Sequence, residues 1–153
     1  MYQPMHARSR GDVAAASKLF VAAAILTALM TTAALAGSPH FVGTPTATRS
    51  GDSLTVSGKV AGLGNETQIH VEVSATAACL NRGENFPQAA NKMTVTADGD
   101  FPVQNGKANF SLTLTATFQP KCSPPMRVVF GDVTITVSGS TFTSFSTTLP
   151  GTF

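Results

Sequence analysis

Beyond Ala36 the side chains able to do chemistry are few: Cys79 and Cys122, His40 and His70, seven carboxylates and eleven Ser. A Ser–His–Asp constellation could draw on any of those Ser, so a match by composition carries no information. His70 lies between Gln68 and Glu72 on the polar phase of an alternating run, the setting of a solvated surface imidazole. His40 falls close to the beginning of the same region. Zinc or copper is normally held by three or four His, Cys or carboxylate ligands, and a disulfide would consume both thiols. No enzyme, no metal and no cofactor is therefore expected. Asp98-Gly99-Asp100 reads as a turn, since Asp and Gly supply left-handed backbone and side-chain to backbone bonds. The alternative is a calcium site made of the two carboxylates and loop carbonyls.

The two Cys are expected to form a single Cys79–Cys122 bridge. Cys79 continues the apolar phase of its strand, and no Cys-x-x-Cys arrangement suggests redox chemistry. A bridge closing a loop of this length removes about 4 kcal/mol of denatured-state freedom in the chain-entropy account.

Two loops beside these Cys are candidate recognition surfaces, because long loops on a rigid scaffold often carry binding. Leu80 to Asn91 (LNRGENFPQAAN) is Asn-rich, with Asn81, Arg82, Glu84, Asn85 and Gln88 as candidate contacts. Its alternative role is a polar crossover with Phe86 tucked inward. Gln119 to Met126 (QPKCSPPM) holds Pro120, Pro124 and Pro125 beside Lys121 and Cys122. Such a restrained loop could fill a protease pocket with Lys121, since preorganisation favours inhibitors; its alternative is an ordinary strand connection. After residue 36 there is no Trp and no Tyr, the side chains best suited to sugar faces and interface hot spots.

The elements that would position these groups are strands. Residues 19–36 (LFVAAAILTALMTTAALA) carry no charge, follow Arg8, Arg10 and Lys18, and end in Ala34-Leu35-Ala36 before Gly37-Ser38-Pro39. This is the pattern of a secretory signal peptide cleaved after Ala36, with an uncleaved anchor as the alternative. The expected domains are thus 1–36, a leader, and 37–153, one folded unit that is secreted to the extracellular or cell-envelope space. The leader takes three of the 10 Lys and Arg and one of the 8 Asp and Glu, leaving seven of each sign. That neutrality excludes nucleic acid and an anionic membrane as partners, since both draw on unneutralised cations. A monomer with a protein or small-molecule ligand is expected. Asn65-Glu66-Thr67 and Asn109-Phe110-Ser111 match glycosylation acceptors, expected bare because the leader is bacterial in style.

Apolar residues then recur every second position, the mark of half-buried strands. Ile69, Val71, Val73, Ala75, Ala77 and Cys79 alternate with polar residues, as do Phe110, Leu112, Leu114, Ala116 and Phe118. Leu54, Val56 and Val60 follow the same rule, and Met93, Val95 and Ala97 form a shorter piece. Val128 and Phe130 are out of phase with Val133, Ile135 and Val137, so a bulge at Gly131, or else a tight turn, is expected. With a first strand near Thr44 to Arg49 and a last within Ser140 to Leu149, about seven strands result. The predicted fold is an all-β antiparallel sandwich of immunoglobulin-like type with one disulfide; a small barrel is the alternative.

Ala61-Gly62-Leu63-Gly64-Asn65, Cys79 with Asn81, Pro87-Gln88-Ala89-Ala90-Asn91, Pro120 to Pro124 and Phe130-Gly131-Asp132-Val133 together resemble a group of small exported bacterial proteins of unassigned function. The resemblance spans nearly all of the region after the leader and implies an immunoglobulin-like sandwich, with no activity to carry onto a residue. In size, export and the run Leu54 to Leu63 the chain is also distantly similar to neocarzinostatin-type chromoprotein carriers, which hold a small molecule in a cleft between sheets. Those have two disulfides, whereas this chain can form one. The functional expectation is a secreted, non-enzymatic binding or surface-interaction module, with a small-molecule carrier or a protease inhibitor as alternatives.

Overall fold

A computed structural model describes residues 38–81, 83 and 91–153. The proposed leader and the candidate contacts Arg82, Glu84, Asn85 and Gln88 lie outside the described residues. Among those described, the regular elements are strands: β1 (His40–Phe41), β2 (Thr46–Ser50), β3 (Ser53–Ala61), β4 (Gln68–Leu80), β5 (Lys92–Pro102), β6 (Lys107–Thr115), β7 (Arg127–Ser138) and β8 (Phe145–Leu149). No described helix is long and apolar enough to cross a membrane.

Two antiparallel sheets result. β6 pairs with β3 from Ser53↔Thr115 to Ala61↔Lys107, so β1 and β2 share the other edge of β3, opposite its two halves. The second sheet runs β5-β4-β7-β8. β1 and β2 are one strand position interrupted near Gly43, whose φ of 71° lies in the left-handed region. The eight segments therefore occupy seven positions, the number expected from the alternation.

The period of two decides which face is buried. Leu54, Val56 and Val60 of β3 meet Ile69, Val71, Val73, Ala75 and Ala77 of β4 and Val133, Ile135 and Val137 of β7 in one core. Each fully buried Val, Leu or Ile contributes on the order of 1.5–3 kcal/mol over an exposed one. The expected bulge is present: Ala75 pairs with Val133 but Ala77 with Phe130, so Gly131 and Asp132 together oppose Thr76. One extra residue exchanges the two faces of a strand, which returns both Phe130 and Val133 to the core.

The expected turn at Asp98-Gly99-Asp100 is not there. β5 continues through it, pairing Asp98 with Glu72 and Asp100 with His70. Gly99 holds the inward phase shared by Val95, Ala97 and Phe101, and a Cβ there would stand 3.3 Å from Cδ2 of Leu112. The inward position is thus filled by the neighbouring sheet rather than by its own side chain, which hides the strand from an apolar-pattern reading. The real turn is Asn105-Gly106, with φ of 52° and 68° and mutual Gln104/Lys107 backbone bonds of 2.8 and 3.0 Å. Two consecutive left-handed residues are the two-residue hairpin geometry that Asn-Gly favours. It carries the chain from the second sheet into the first.

Aromatic side chains seal the sandwich. Phe142, Phe145, Phe41, Phe110 and Phe101 form a chain of ring contacts with centroid separations between 5.2 and 6.5 Å. Phe110 fills the space left by Gly58, where an added Cβ would lie 2.7 Å from the ring.

Candidate functional site

The bases of both candidate loops meet at one end of the sandwich. Cys79 terminates the inward phase of β4 and Cys122 lies in the connection between β6 and β7; the bridge joins them with a Cα–Cα separation of 5.8 Å. Met126 adds its sulfur 3.8 Å from that of Cys79. Asn81 follows the bridge by two residues and Lys121 precedes it by one, so the fold gathers two stretches that are 40 residues apart in the chain. Asn81 is exposed, and its amide oxygen accepts from the N–H of Gly83 at 3.1 Å, shaping the start of its loop. Lys121 is exposed, and no described carboxylate lies within ion-pair distance of it. The bridge itself is consistent with an oxidising environment.

The β2–β3 turn completes this end. Nη1 of Arg49 donates to the carbonyls of Val128, at 2.9 Å, and Gly51, at 3.2 Å, which pins the guanidinium between the two sheets. A groove of about 360 Å³ beside it is lined by Arg49, Asp52, Lys121, Pro124, Met126 and Arg127. A smaller one of about 210 Å³ lies on the other side of Lys121, toward Thr117 and Phe118. Sequence reasoning found Lys121 from its Pro-rich setting. Arg49 carries no local signal, because its place in the groove follows from β2 packing beside the start of β7.

A second constellation lies about 30 Å away along β4, at the strand rise of ~3.4 Å per residue. The Nδ1–H of His70 donates to Oδ1 of Asp100 at 2.8 Å, and its Nε2 stands 3.9 Å from Oδ2 of Asp98. Ser138 is the cross-strand partner of His70 on β7, so a Ser, a His and an Asp share one row. The row lacks the bond that nucleophilic catalysis needs, since no hydroxyl among the described residues hydrogen-bonds to either ring nitrogen. The imidazole is 46% exposed and engages carboxylates on both sides. No group of three or more His, Cys, Asp or Glu among the described residues is arranged to hold a metal ion.

A cleft of about 370 Å³ beside His70 is bounded by Glu66 and Ser140. The Glu66 carboxylate is buried and accepts from the hydroxyl and N–H of Thr141 and from the hydroxyl of Ser140. The Thr141 hydroxyl bond, aided by the other donors, holds its pKa below the ordinary carboxylate value against the opposing effect of burial. This carboxylate ties the β3–β4 connection to the β7–β8 loop. In the sequence it stands within an apparent glycosylation acceptor, and its partner is 75 residues away, so local pattern gives no sign of the role.

No protein-family model matches the chain, and no curated protein matches its sequence.

Proposed function

We propose that this is an exported, non-enzymatic binding module, an immunoglobulin-like sandwich whose leader is removed after Ala36 and whose disulfide end engages a ligand. The observation that carries it is the Cys79–Cys122 bridge, which joins the end of β4, just before the candidate loop begins, to the Pro-rich loop around Lys121. Taking β1 and β2 as one position, the strand orders 1-2-5 and 4-3-6-7 support the immunoglobulin-like reading. They differ from the constant-type pattern only in that the fourth strand lies beside the third instead of the fifth. The bridge and the uncharged run before Ala36 support export. The single-domain core supports a monomeric scaffold, and the even charge balance supports a partner other than nucleic acid or membrane.

A carrier needs space between its sheets, and here that space holds Phe110, Phe130 and Leu114 while ring contacts line the edges. This favours an end surface over an inter-sheet cleft. A protease inhibitor is the second reading, favoured by the exposed Lys121 in a loop restrained by three Pro and a disulfide. It requires inhibition of a trypsin-like protease at micromolar protein, lost in Lys121→Ala.

The end-surface reading is tested with a photocrosslinking amino acid at position 121 and, as the control, at position 55 on the outer face of β3. Mature protein carrying each is irradiated in the producing organism's culture. Discrete adducts from position 121 alone support the reading. Equal adduct formation from both positions, or none from either, overturns it.

A further inference from the structure

At the end of the sandwich remote from the disulfide, the β3–β6 pairing and the Asn105-Gly106 hairpin bring five polar side chains to one concavity. Lys59 pairs with Asn109, and Lys107 lies two residues along β6 on the same outward phase. The two lysines are thus diagonal neighbours, a relation that sets residues about 7–8 Å apart in an antiparallel pair. Gln104 and Asn105 project from the hairpin beside them. Together these residues line a cavity of about 350 Å³.

Two observations distinguish this cavity from the others. No carboxylate lines it, whereas each of the three cavities described above has Asp52, Glu66 or Asp100 in its wall. Its polar side chains are also unspent. Among the described residues, Lys59, Gln104, Asn105, Lys107 and Asn109 make no side-chain hydrogen bond or ion pair, although Lys59 is half-buried. Two like charges closer than the ~10 Å Debye length of 0.1 M salt repel one another, and an anion between them replaces that repulsion with two attractions.

We infer that this cavity binds a tetrahedral oxyanion group, the phosphate or sulfate monoester of a small ligand. Lys59 and Lys107 supply the charge, and the amides of Gln104, Asn105 and Asn109 supply further donors. An ammonium holds such a group as a point charge with three donors of its own. A monoester presents three terminal oxygens pointing in different directions, which donors on two strands and a hairpin can share, whereas a carboxylate presents two in one plane. Two cations match one charged group; nucleic acid and anionic membranes draw on many. The site goes beyond the end-surface reading and is independent of it, since β6 separates it from the connection that carries Cys122.

The test uses the mature, oxidised protein, isotope-labelled for amide NMR. It is titrated into the millimolar range with methyl phosphate, methyl sulfate, acetate and chloride at matched ionic strength. The expected result is saturable shifts with one or both esters, centred on Lys59 and residues 104–109, and weaker binding of acetate and chloride. The tighter ester identifies whether the natural ligand carries phosphate or sulfate. Lys59→Gln and Lys107→Gln should each weaken binding roughly 2- to 5-fold, and the double variant should abolish saturation. Lys121→Gln, at the disulfide end, should leave it unchanged. Thermal melts confirm that the variants are folded, and the location of the wild-type shifts tests the site without any variant. No saturation with either ester, equal binding of acetate or chloride, shifts centred elsewhere, or undiminished binding by the folded double variant overturns the inference.

Discussion

The Glu66 carboxylate is buried against Thr141, which gives it both its backbone N–H and its hydroxyl, while Ser140 supplies a third donor. Two loops distant in sequence are thereby held by one anion. Hydrogen bonds to the charged form lower its pKa, so the folded protein binds its proton less readily than the unfolded chain does. The stabilisation is fully present above the ordinary carboxylate pKa of about 4.3 and is lost as pH falls through that value toward the lowered folded one. Thermal melts should show wild type losing stability over this acid window, whereas Glu66→Gln starts lower at neutral pH and has a flatter acid dependence. Parallel profiles for the two proteins would contradict the assignment.

Gly58 and Phe110 are cross-strand partners on the buried face of the first sheet, and the Phe110 ring occupies the volume a side chain at 58 would need. Phe110 is itself held between Phe41 and Phe101, so it has little room to withdraw. Gly58→Ala should cost about 1–3 kcal/mol by overpacking, measured by denaturant unfolding. Gly131→Ala is the control, since a Cβ there meets only a carbonyl oxygen at 3.7 Å.

The pattern of core residues was readable in the chain because one side of each sheet is buried and the other wet. Ile69 to Cys79 and Phe110 to Phe118 announce their faces directly. The phase flip at Gly131 was readable for the same reason, since a displaced phase must be corrected by a bulge if both Phe130 and Val133 are to be buried. The apolar alternation marks only the Met93 to Ala97 part of β5, because Gly99 is inward but presents no hydrocarbon, leaving Asp98 and Asp100 to look like turn residues. The carboxylate pair about His70, the Arg49 wall and the Glu66 staple were hidden for another reason. Each is made by strands or loops brought together from distant sequence, and periodicity reports a residue's face but not its neighbour.

Removing the Cys79–Cys122 bridge by Cys79→Ala with Cys122→Ala should lower stability by about 4 kcal/mol, the chain-entropy value for a separation of 43 residues. Urea titration of oxidised wild type against the double variant measures it. A difference below about 1 kcal/mol would mean the bridge contributes little to the fold, and would weaken the idea that it rigidifies the binding end.

His70 lies between Asp98 and Asp100 on an exposed strand face, where such contacts contribute about 0–1 kcal/mol. His70→Ala should therefore change unfolding stability by no more than that. Purified mature protein should hydrolyse no chromogenic ester, glycoside or peptide in a His70-dependent manner. Turnover abolished by His70→Ala would make the Ser138, His70 and Asp100 row a catalytic one and end the non-enzymatic account.

Position-specific photocrosslinking addresses the central claim most directly when the bridge is varied along with the probe. With the Cys79–Cys122 bridge intact, position 121 should give a discrete adduct and position 55 none; in the folded Cys-free double variant, the position 121 adduct should fall sharply. An adduct that favours position 55, or one at position 121 that ignores loss of the bridge, would contradict a binding surface assembled by that disulfide.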